Sequence, residues 1–376
     1  MGRKIRIGSR ASRLAVVQSE LVMAEIRKIL PEADLELVTM KTTGDKILHK
    51  TLDKIGGKGL FLKELDAALL AGQVDICVHS LKDVPVTENP ALPIGAYSVR
   101  ELPADVLVFP KETSHWNPAL PVGCASARRK MQFQQLYPEA VIQPVRGNVL
   151  TRLEKLDSGE HGALILAEAG LKRLGLSDRI AYRFSPEELV PAAGQGILAV
   201  EIREGELAEI MQAIHSVETE AELTAEREFL TILGGGCNAP CGAHCRLDRK
   251  AGELMMHVMY AQDGVHPQYQ SQSCVLEAEP LDCAKKLAHD LTVAVRCKPV
   301  YLVGAGPGDA GLFTKKGLDC VRKADVIVYD NLISGSILNE ARLDAELIYA
   351  GKRSGHHHMR QEEISALLVE KALEGK

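Results

Sequence analysis

The sequence predicts an α/β protein of two βα lobes joined by two crossings, with a small α+β domain and the start of a further α/β unit behind them. Three observations carry this expectation. Strand-like runs alternate with helix-period segments through residues 5–202, the pattern of βα units. Composition shifts at residues 100–103 and again at 191–196, so the chain leaves its first lobe once and returns once. After the second crossing, residues 233–242 (LGGGCNAPCG) form a loop too rich in glycine and proline for any helix or strand interior.

Composition narrows the function classes. The chain has 376 residues, 46% hydrophobic and 25% charged, which is ordinary for a folded, water-exposed protein with a sizeable core. Aromatic residues make up 4% and the net charge is −5, so neither stacking platforms nor a basic face points to nucleic acid. No apolar run approaches the ~20 residues that a membrane span needs. The basic start, Met1 to Ile7, leads into alternation rather than an apolar signal core, so a cytoplasmic location is expected. Nine scattered cysteines are then expected to stay reduced.

Each element has its local reason. Ile5 and Ile7 alternate with charge as a first strand, and Ser9 or Ser12 can cap the helix that begins near Leu14. With Arg10 in the intervening turn, this is an anion-binding arrangement or simply a capped helix with solvated arginines. Residues 35–39 are a second strand. Residues 42–59 are a polar loop carrying Lys58, and residues 60–70 are a helix. Residues 75–80 are a buried strand that runs into Leu81-Lys82-Asp83-Val84-Pro85, a Lys–Asp pair where open α/β sheets place their sites. In the second lobe, residues 106–109, 141–145 and 163–167 are strands. Ser126-Ala127-Arg128-Arg129 opens a helix, Arg146-Gly147-Asn148 ends a strand with Arg152 one helical turn on, and Arg173 lies in the segment that closes the lobe. Arginine thus stands at three separate strand-to-helix junctions, which suggests a cleft for a polyanion. Gly194-Gln195-Gly196 leads into the strand at 197–202. A helix at 219–230 feeds the glycine loop, strands at 254–260 and 270–276 follow, and a helix covers 281–295. Residues 300–303 and 325–329 are strands of the last unit.

The loop presents Cys237 as a candidate nucleophile, although a small buried cysteine in a tight turn has the same local look. Cys237, Cys241 and Cys245, with His244, are spaced unlike zinc pairs or iron–sulfur runs, and the three adjacent histidines at 356–358 cannot readily face one ion. No metal site is expected.

These motifs resemble the porphobilinogen deaminase family. The resemblance runs from Ile5 to about Ala294 through GGKGLF at 56–61, VHSLKDVP at 78–85, RGN at 146–148, GQG at 194–196 and GGC at 235–237. It implies two lobes like those of a periplasmic binding protein plus an α+β domain. The division would be 1–99 with 192–216, then 100–191, then 217–298. It implies that Cys237 carries a dipyrromethane through a thioether. Porphobilinogen would lose ammonia to give an electrophilic azafulvene, four units would be added, and water would release hydroxymethylbilane for handover to uroporphyrinogen-III synthase. Asp83 would face the pyrrole N–H groups and the cationic azafulvene and protonate the leaving amine, with Lys82 beside it. Arg10, Ser12, Lys58, Ser80, Ser126, Arg128, Arg129, Arg146, Gly147, Asn148, Arg152, Arg173 and Gln195 would hold cofactor and substrate carboxylates. The deaminase part would be a monomer. Cys124 and Ala125 stand where the family carries hydroxyl residues.

Residues 299–376 resemble the beginning of uroporphyrinogen-III C-methyltransferase, through VGAGPGD at 303–309 and AELIYAGKR at 345–353. In that family Gly304, Gly306, Pro307, Gly308 and Asp309 would form the S-adenosylmethionine loop. Only two or three strands of that unit are present, so a vestigial loop without methyl transfer is expected. Two other readings stay open from the residues: a two-lobed anion-binding protein without catalysis, and a bifunctional deaminase–methyltransferase.

Overall fold

The computed structural model describes residues 4–42, 62–87, 89–234, 240–276, 280–296, 300–306, 310–351 and 359–376. The chain divides into two compact units, Met1–Thr292 and Val293–Lys376.

In the first unit, β1 (Ile5–Arg10) leads into α1 (Arg13–Ile29). Ser12 caps α1, its hydroxyl accepting the Ala15 N–H at 3.4 Å, which resolves the choice between Ser9 and Ser12. α1 buries Val22, Met23 and Ile26 against Ile5 and Ile7 of β1. After β2 (Leu35–Met40) and α2 (Lys63–Leu70) comes β3 (Ile76–Ser80), which passes directly into a single 3₁₀ turn, Leu81–Asp83. β4 (Ile94–Tyr97) ends the outward passage. The first sheet has the order β2-β1-β3-β10-β4, where β10 (Leu198–Ile202) is supplied by the returning chain. β1 pairs in parallel with β2 and β3, while β10 runs antiparallel to β3 and β4.

The second sheet repeats that scheme. Its strands are β5 (Asp105–Val108), β6 (Val122–Gly123), β7 (Ile142–Gln143), β8 (Ala163–Ala167) and β9 (Ile180–Arg183), in the order β7-β6-β8-β5-β9. β6 is parallel to β7 and β8, and β5 is antiparallel to β8 and β9. The strand expected over 141–145 contributes only Ile142 and Gln143 to the ladder. Three helices follow the strand ends: α3 (Ala127–Leu136), α4 (Val149–Asp157) and α5 (Glu168–Arg173). Two lobes of parallel sheet, each with one reversed strand, thus stand on either side of the crossings.

The crossings lie side by side. The Glu101 N–H donates to the Gly196 carbonyl at 3.1 Å. Gly196 has φ +94°, and a Cβ there would meet the Glu101 carbonyl oxygen at 2.2 Å, so only glycine fits.

Beyond α6 (Ala208–Ile214), α7 (Val217–Ile232) enters the α+β part. There β11 (Cys241–Asp248), β12 (Glu253–Tyr260) and β13 (Gln268–Val275) form an antiparallel meander, followed by α8 (Pro280–Arg296). Ala243, Cys245, Leu254, Met256 and Val258 of the meander are buried, as are Leu287 and Leu291 of α8.

The second unit holds α9 (Lys315–Lys323) and a parallel pair, β14 (Val326–Tyr329) and β15 (Glu346–Tyr349), with α10 (Gly335–Leu338) between them and α11 (Gln361–Leu373) after them. Residues 300–303, expected as a strand, are not one. Leu302 is 92% exposed and Tyr301 61%, and among the described residues no strand pairs with this run. A run of β-formers without a ladder neighbour leaves its backbone groups to water.

Candidate active site

The C-terminal ends of parallel strands converge on the crossings. β3 delivers Lys82 and Asp83 in its 3₁₀ turn, and Arg10 ends β1 at the same edge of the first sheet. Asp83 is exposed and Arg10 is half-buried. From the second lobe, α3 delivers Arg128 and Arg129 in its first turn, capped by Ser126. α4 delivers Arg152 and is capped by Asn148.

These cations are close enough to act on one another. Lys82 is exposed as a residue, yet its ammonium lies against Gln195, with Nζ 3.2 Å from Oε1. Desolvation first, and then the Arg129 charge, push its pKa down to about 8. The same two influences hold Arg152 below the usual guanidinium value, with Arg146 adding to them. Arg128 is lowered by burial and by Arg129. Arg173 is lowered to about 10 by burial, and it donates to the Gly196 carbonyl.

At the centre is a residue that sequence reasoning missed. Asp105, fully buried at the start of β5, takes Arg128 Nη2 at 2.8 Å on Oδ2. Its Oδ1 takes Arg129 Nε at 2.9 Å, Arg129 Nη2 at 2.8 Å and Gln195 Nε2 at 2.8 Å. Burial works against its charge, but the two guanidiniums outweigh it and hold the carboxyl well below the ordinary range. Arg128 also donates to the Val190 carbonyl, so both arginines are preset rather than swinging free. Gln195 completes the link: its Oε1 accepts from Lys82 and, at 3.3 Å, from Arg129.

A second network was also missed. Glu226 of α7 is fully buried and accepts Arg100 Nη1 at 2.6 Å, the Gly194 N–H at 2.7 Å and the Cys245 N–H at 2.8 Å. Arg100 and His244 outweigh its burial and hold it down at about 2. One carboxylate therefore ties both crossings to the helix that precedes residues 235–239 and to the strand that follows them. Cys237 itself lies outside the described residues, as do Lys58, Pro307, Gly308 and Asp309.

Several expected ligands are engaged in the fold. Ser12, Ser126 and Asn148 cap helices, and Ser80 exchanges hydrogen bonds with Gln18 at 2.9 and 3.2 Å. Gly147 has φ +113° and its carbonyl accepts Arg152 Nε at 2.8 Å. Cys124 is buried and donates to the Ser126 carbonyl at 3.5 Å, and desolvation pushes its thiol up. Cys241 is half-buried at the start of β11. Cys245 is fully buried, with its pKa raised by desolvation and then by Glu226. In the second unit Gly304 and Gly306 are the described members of the glycine loop, and Gly306 has φ +68°.

Comparison with known proteins agrees with this arrangement. The family model for the porphobilinogen deaminase dipyromethane cofactor-binding domain matches residues 5–211, and that for the deaminase C-terminal domain matches 221–292. The model for tetrapyrrole (corrin/porphyrin) methylases matches 299–376. A porphobilinogen deaminase of Acetivibrio thermocellus is 56% identical over 241 residues, covering 64% of this chain and 82% of its own length. Those of Ruminiclostridium josui and Ruminiclostridium cellulolyticum are 51% and 54% identical, over 69% and 65% of this chain and 88% and 83% of theirs. Against the periplasmic VFT2 domain of BvgS from Bordetella pertussis the TM-score is only 0.34 at 15% identity, covering 58% of this chain and 89% of that one, so the two-lobed architecture rests on the sheets themselves. A dipyrromethane is a polyanion, and Lys82, Arg128 and Arg152, each lowered first by burial and also by the Arg129 charge, fit such a group. With its deaminase domains spanning nearly all of the first unit, the chain belongs to the porphobilinogen deaminase family, and a tetrapyrrole-methylase segment follows them.

Proposed function

We propose that this chain condenses four porphobilinogen units to hydroxymethylbilane with loss of ammonia, and that Cys237 holds the dipyrromethane primer. One observation carries the assignment of residues. Arg128 and Arg129 share the buried carboxylate of Asp105, the Arg129 charge lowers Lys82, Arg128 and Arg152 beyond the effect of burial, and a ligand rich in carboxylates relieves that repulsion. When bound, the primer supplies the nucleophilic pyrrole carbon.

The protein groups do the rest. Arg129, Arg152 and Lys82 receive acetate and propionate groups, and Arg128 and Asp105 set the position of Arg129. Arg10, Arg146 and Arg173 extend the cationic lining, and Lys58, outside the described residues, is assigned a substrate carboxylate by the family resemblance. Asp83 stands one residue beyond Lys82 on a turn held by the Val84 N–H to Leu81 carbonyl bond at 2.9 Å. Its carboxylate faces pyrrole N–H groups and delivers the proton to the departing amine. Holding the primer covalently keeps each intermediate on the protein between additions. The deaminase part acts as a cytoplasmic monomer and passes its product to uroporphyrinogen-III synthase. Among the described residues no helix is long and apolar enough to cross a membrane.

Intact mass of the freshly purified chain tests the proposal. An adduct of two porphobilinogen-derived units, absent from Cys237→Ser, is expected. Asp83→Ala should keep the adduct and bind substrate without turnover. Full activity of a chain whose Cys237 is bare would sink the reading.

A further inference from the structure

Away from the cations, the first sheet carries a second cluster of reactive side chains. Cys77 and His79 are two residues apart on β3, so they project from one face of the sheet. Glu201 on β10 is registered directly opposite Cys77 and shares that face. The Cys77 sulfur, a His79 ring nitrogen and a Glu201 carboxylate oxygen all lie within 4.8 Å of one another. All three residues are buried, at 0%, 6% and 4% exposure, and His79 Nε2 is 3.1 Å from Glu201 Oε2.

α2 covers this face. Its Leu65, Ala68 and Leu69 pack with Cys77 in an apolar shell that also contains Val74 and Leu92. On the same helix Asp66 joins Glu201, Thr87 and Asn89 in lining a cavity of about 190 Å³. Asp66 Oδ1 is buried and accepts no hydrogen bond among the described residues. A thiol, an imidazole and a carboxylate this close together, with a second carboxyl lining the adjoining cavity, have the chemistry of a metal-ligand set. A wholly apolar neighbour would explain none of them.

We propose that Cys77, His79 and Glu201, with Asp66 at the cavity, form a binding site for one borderline-soft divalent cation of the zinc class. Thiolate and imidazole together select such an ion over magnesium or calcium, which take oxygen ligands. On binding, the Cys77 thiol gives up its proton to solvent and its sulfur lone pair bonds the ion. The hydrogen between His79 Nε2 and Glu201 Oε2 leaves that contact, the imidazole carries its one proton on Nδ1, and the freed Nε2 lone pair bonds the ion. Glu201 and the thiolate together balance the two positive charges. Zinc bonds of roughly 2.0–2.3 Å require the widest ligand separation to close by about 1 Å, a rotamer-scale movement. The cavity beside Asp66 and Glu201 gives the ion its way in. Its effect would be to staple β3 to β10 immediately before the turn that carries Lys82 and Asp83.

The test is cobalt(II) titration of the metal-stripped full chain, followed by absorption, for the native chain, Cys77→Ala and Glu201→Gln. The native chain should show a thiolate-to-cobalt band in the near ultraviolet that Cys77→Ala lacks, together with the loss of one bound equivalent. Glu201→Gln should bind at least tenfold more weakly, in line with the losses seen when metal-site partners are altered. Zinc should raise the melting temperature of the native chain and not that of Cys77→Ala. Because the comparison is by difference, the remaining cysteines and the histidines at 356–358 cancel. If Cys77→Ala does not fold by circular dichroism, Cys77→Val supplies the same comparison with a strand-forming apolar side chain. Equal stoichiometry and equal spectra for native and Cys77-substituted chains would overturn the proposal.

Discussion

Replacing Asp105 by asparagine keeps the shape of the side chain and removes the only carboxylate that, among the described residues, Arg128 and Arg129 share. Both guanidiniums are more than nine-tenths buried, so neither can recover its solvation by moving a little. Removing one partner of a buried ion pair costs about 3–5 kcal/mol, most of it the penalty of the charge left behind. At roughly 2–4 °C per kcal/mol for a domain of this size, the melting temperature should fall by about 10 °C. The cost is conditional on the state of the cleft. A polyanion in it supplies the compensation that an uncharged amide lacks, so the loss should be smaller in primer-loaded protein than in a Cys237→Ser background. Thermal unfolding by circular dichroism of the four combinations measures both quantities. The pH dependence has a definite sign. The folded pKa of Asp105 is depressed, so its contribution is fully present above the unfolded value of about 4 and is lost as pH falls toward the folded one. The native chain should therefore lose stability below about pH 4 more steeply than Asp105→Asn. A fall in melting temperature under about 2 °C in the bare protein would refute the account of Asp105 as the counter-charge of the cleft.

Three further outcomes follow from the same geometry. The Lys82 ammonium, with its pKa near 8, should lose its hold on substrate carboxylates above that pH; KM should rise on the alkaline limb, and Lys82→Arg should move that limb upward. Glu226→Gln removes the nearer of the two carboxylates that Arg100 pairs with, Glu222 being the other at 3.4 Å, and should cost about 3 kcal/mol in urea unfolding and slow primer attachment in a mass time course. Gly196→Ala combines a disfavoured φ of +94° with a contact at 2.2 Å, and should lower stability by about 2 kcal/mol or more and impair turnover, both read by unfolding and steady-state assays.

Much of this architecture was legible because it is written locally. The Ser12 cap of α1, the buried strand before Lys82 and the amphipathic helix over 281–295 depend on neighbours a few residues away. The arginines at strand ends were legible for the same reason. Asp105 was not, because nothing beside it marks it. Its partners are 24 and 90 residues distant along the chain, and only the two sheets bring them together. Glu226 reads as one more acid on an acidic helix until Arg100, 126 residues away, is placed beside it. The run at 300–303 shows the converse error: its side chains suit a strand, but strand character belongs to a pair, and no described partner is there. Val141, Val145 and their neighbours show the same limit more mildly, since only Ile142 and Gln143 of that run enter the ladder.

The carboxamide of Gln195 has a consequence for how the halves communicate. It sits on the returning crossing, and its one oxygen answers both Lys82 of the first lobe and Arg129 of the second, while its nitrogen is committed to Asp105 and to the Pro103 carbonyl. On the proposed reading, an incoming carboxylate that drew the Lys82 ammonium away would leave that oxygen to Arg129 alone. A single amide would then report filling on one wall to the opposite wall, without any helix or sheet having to shift.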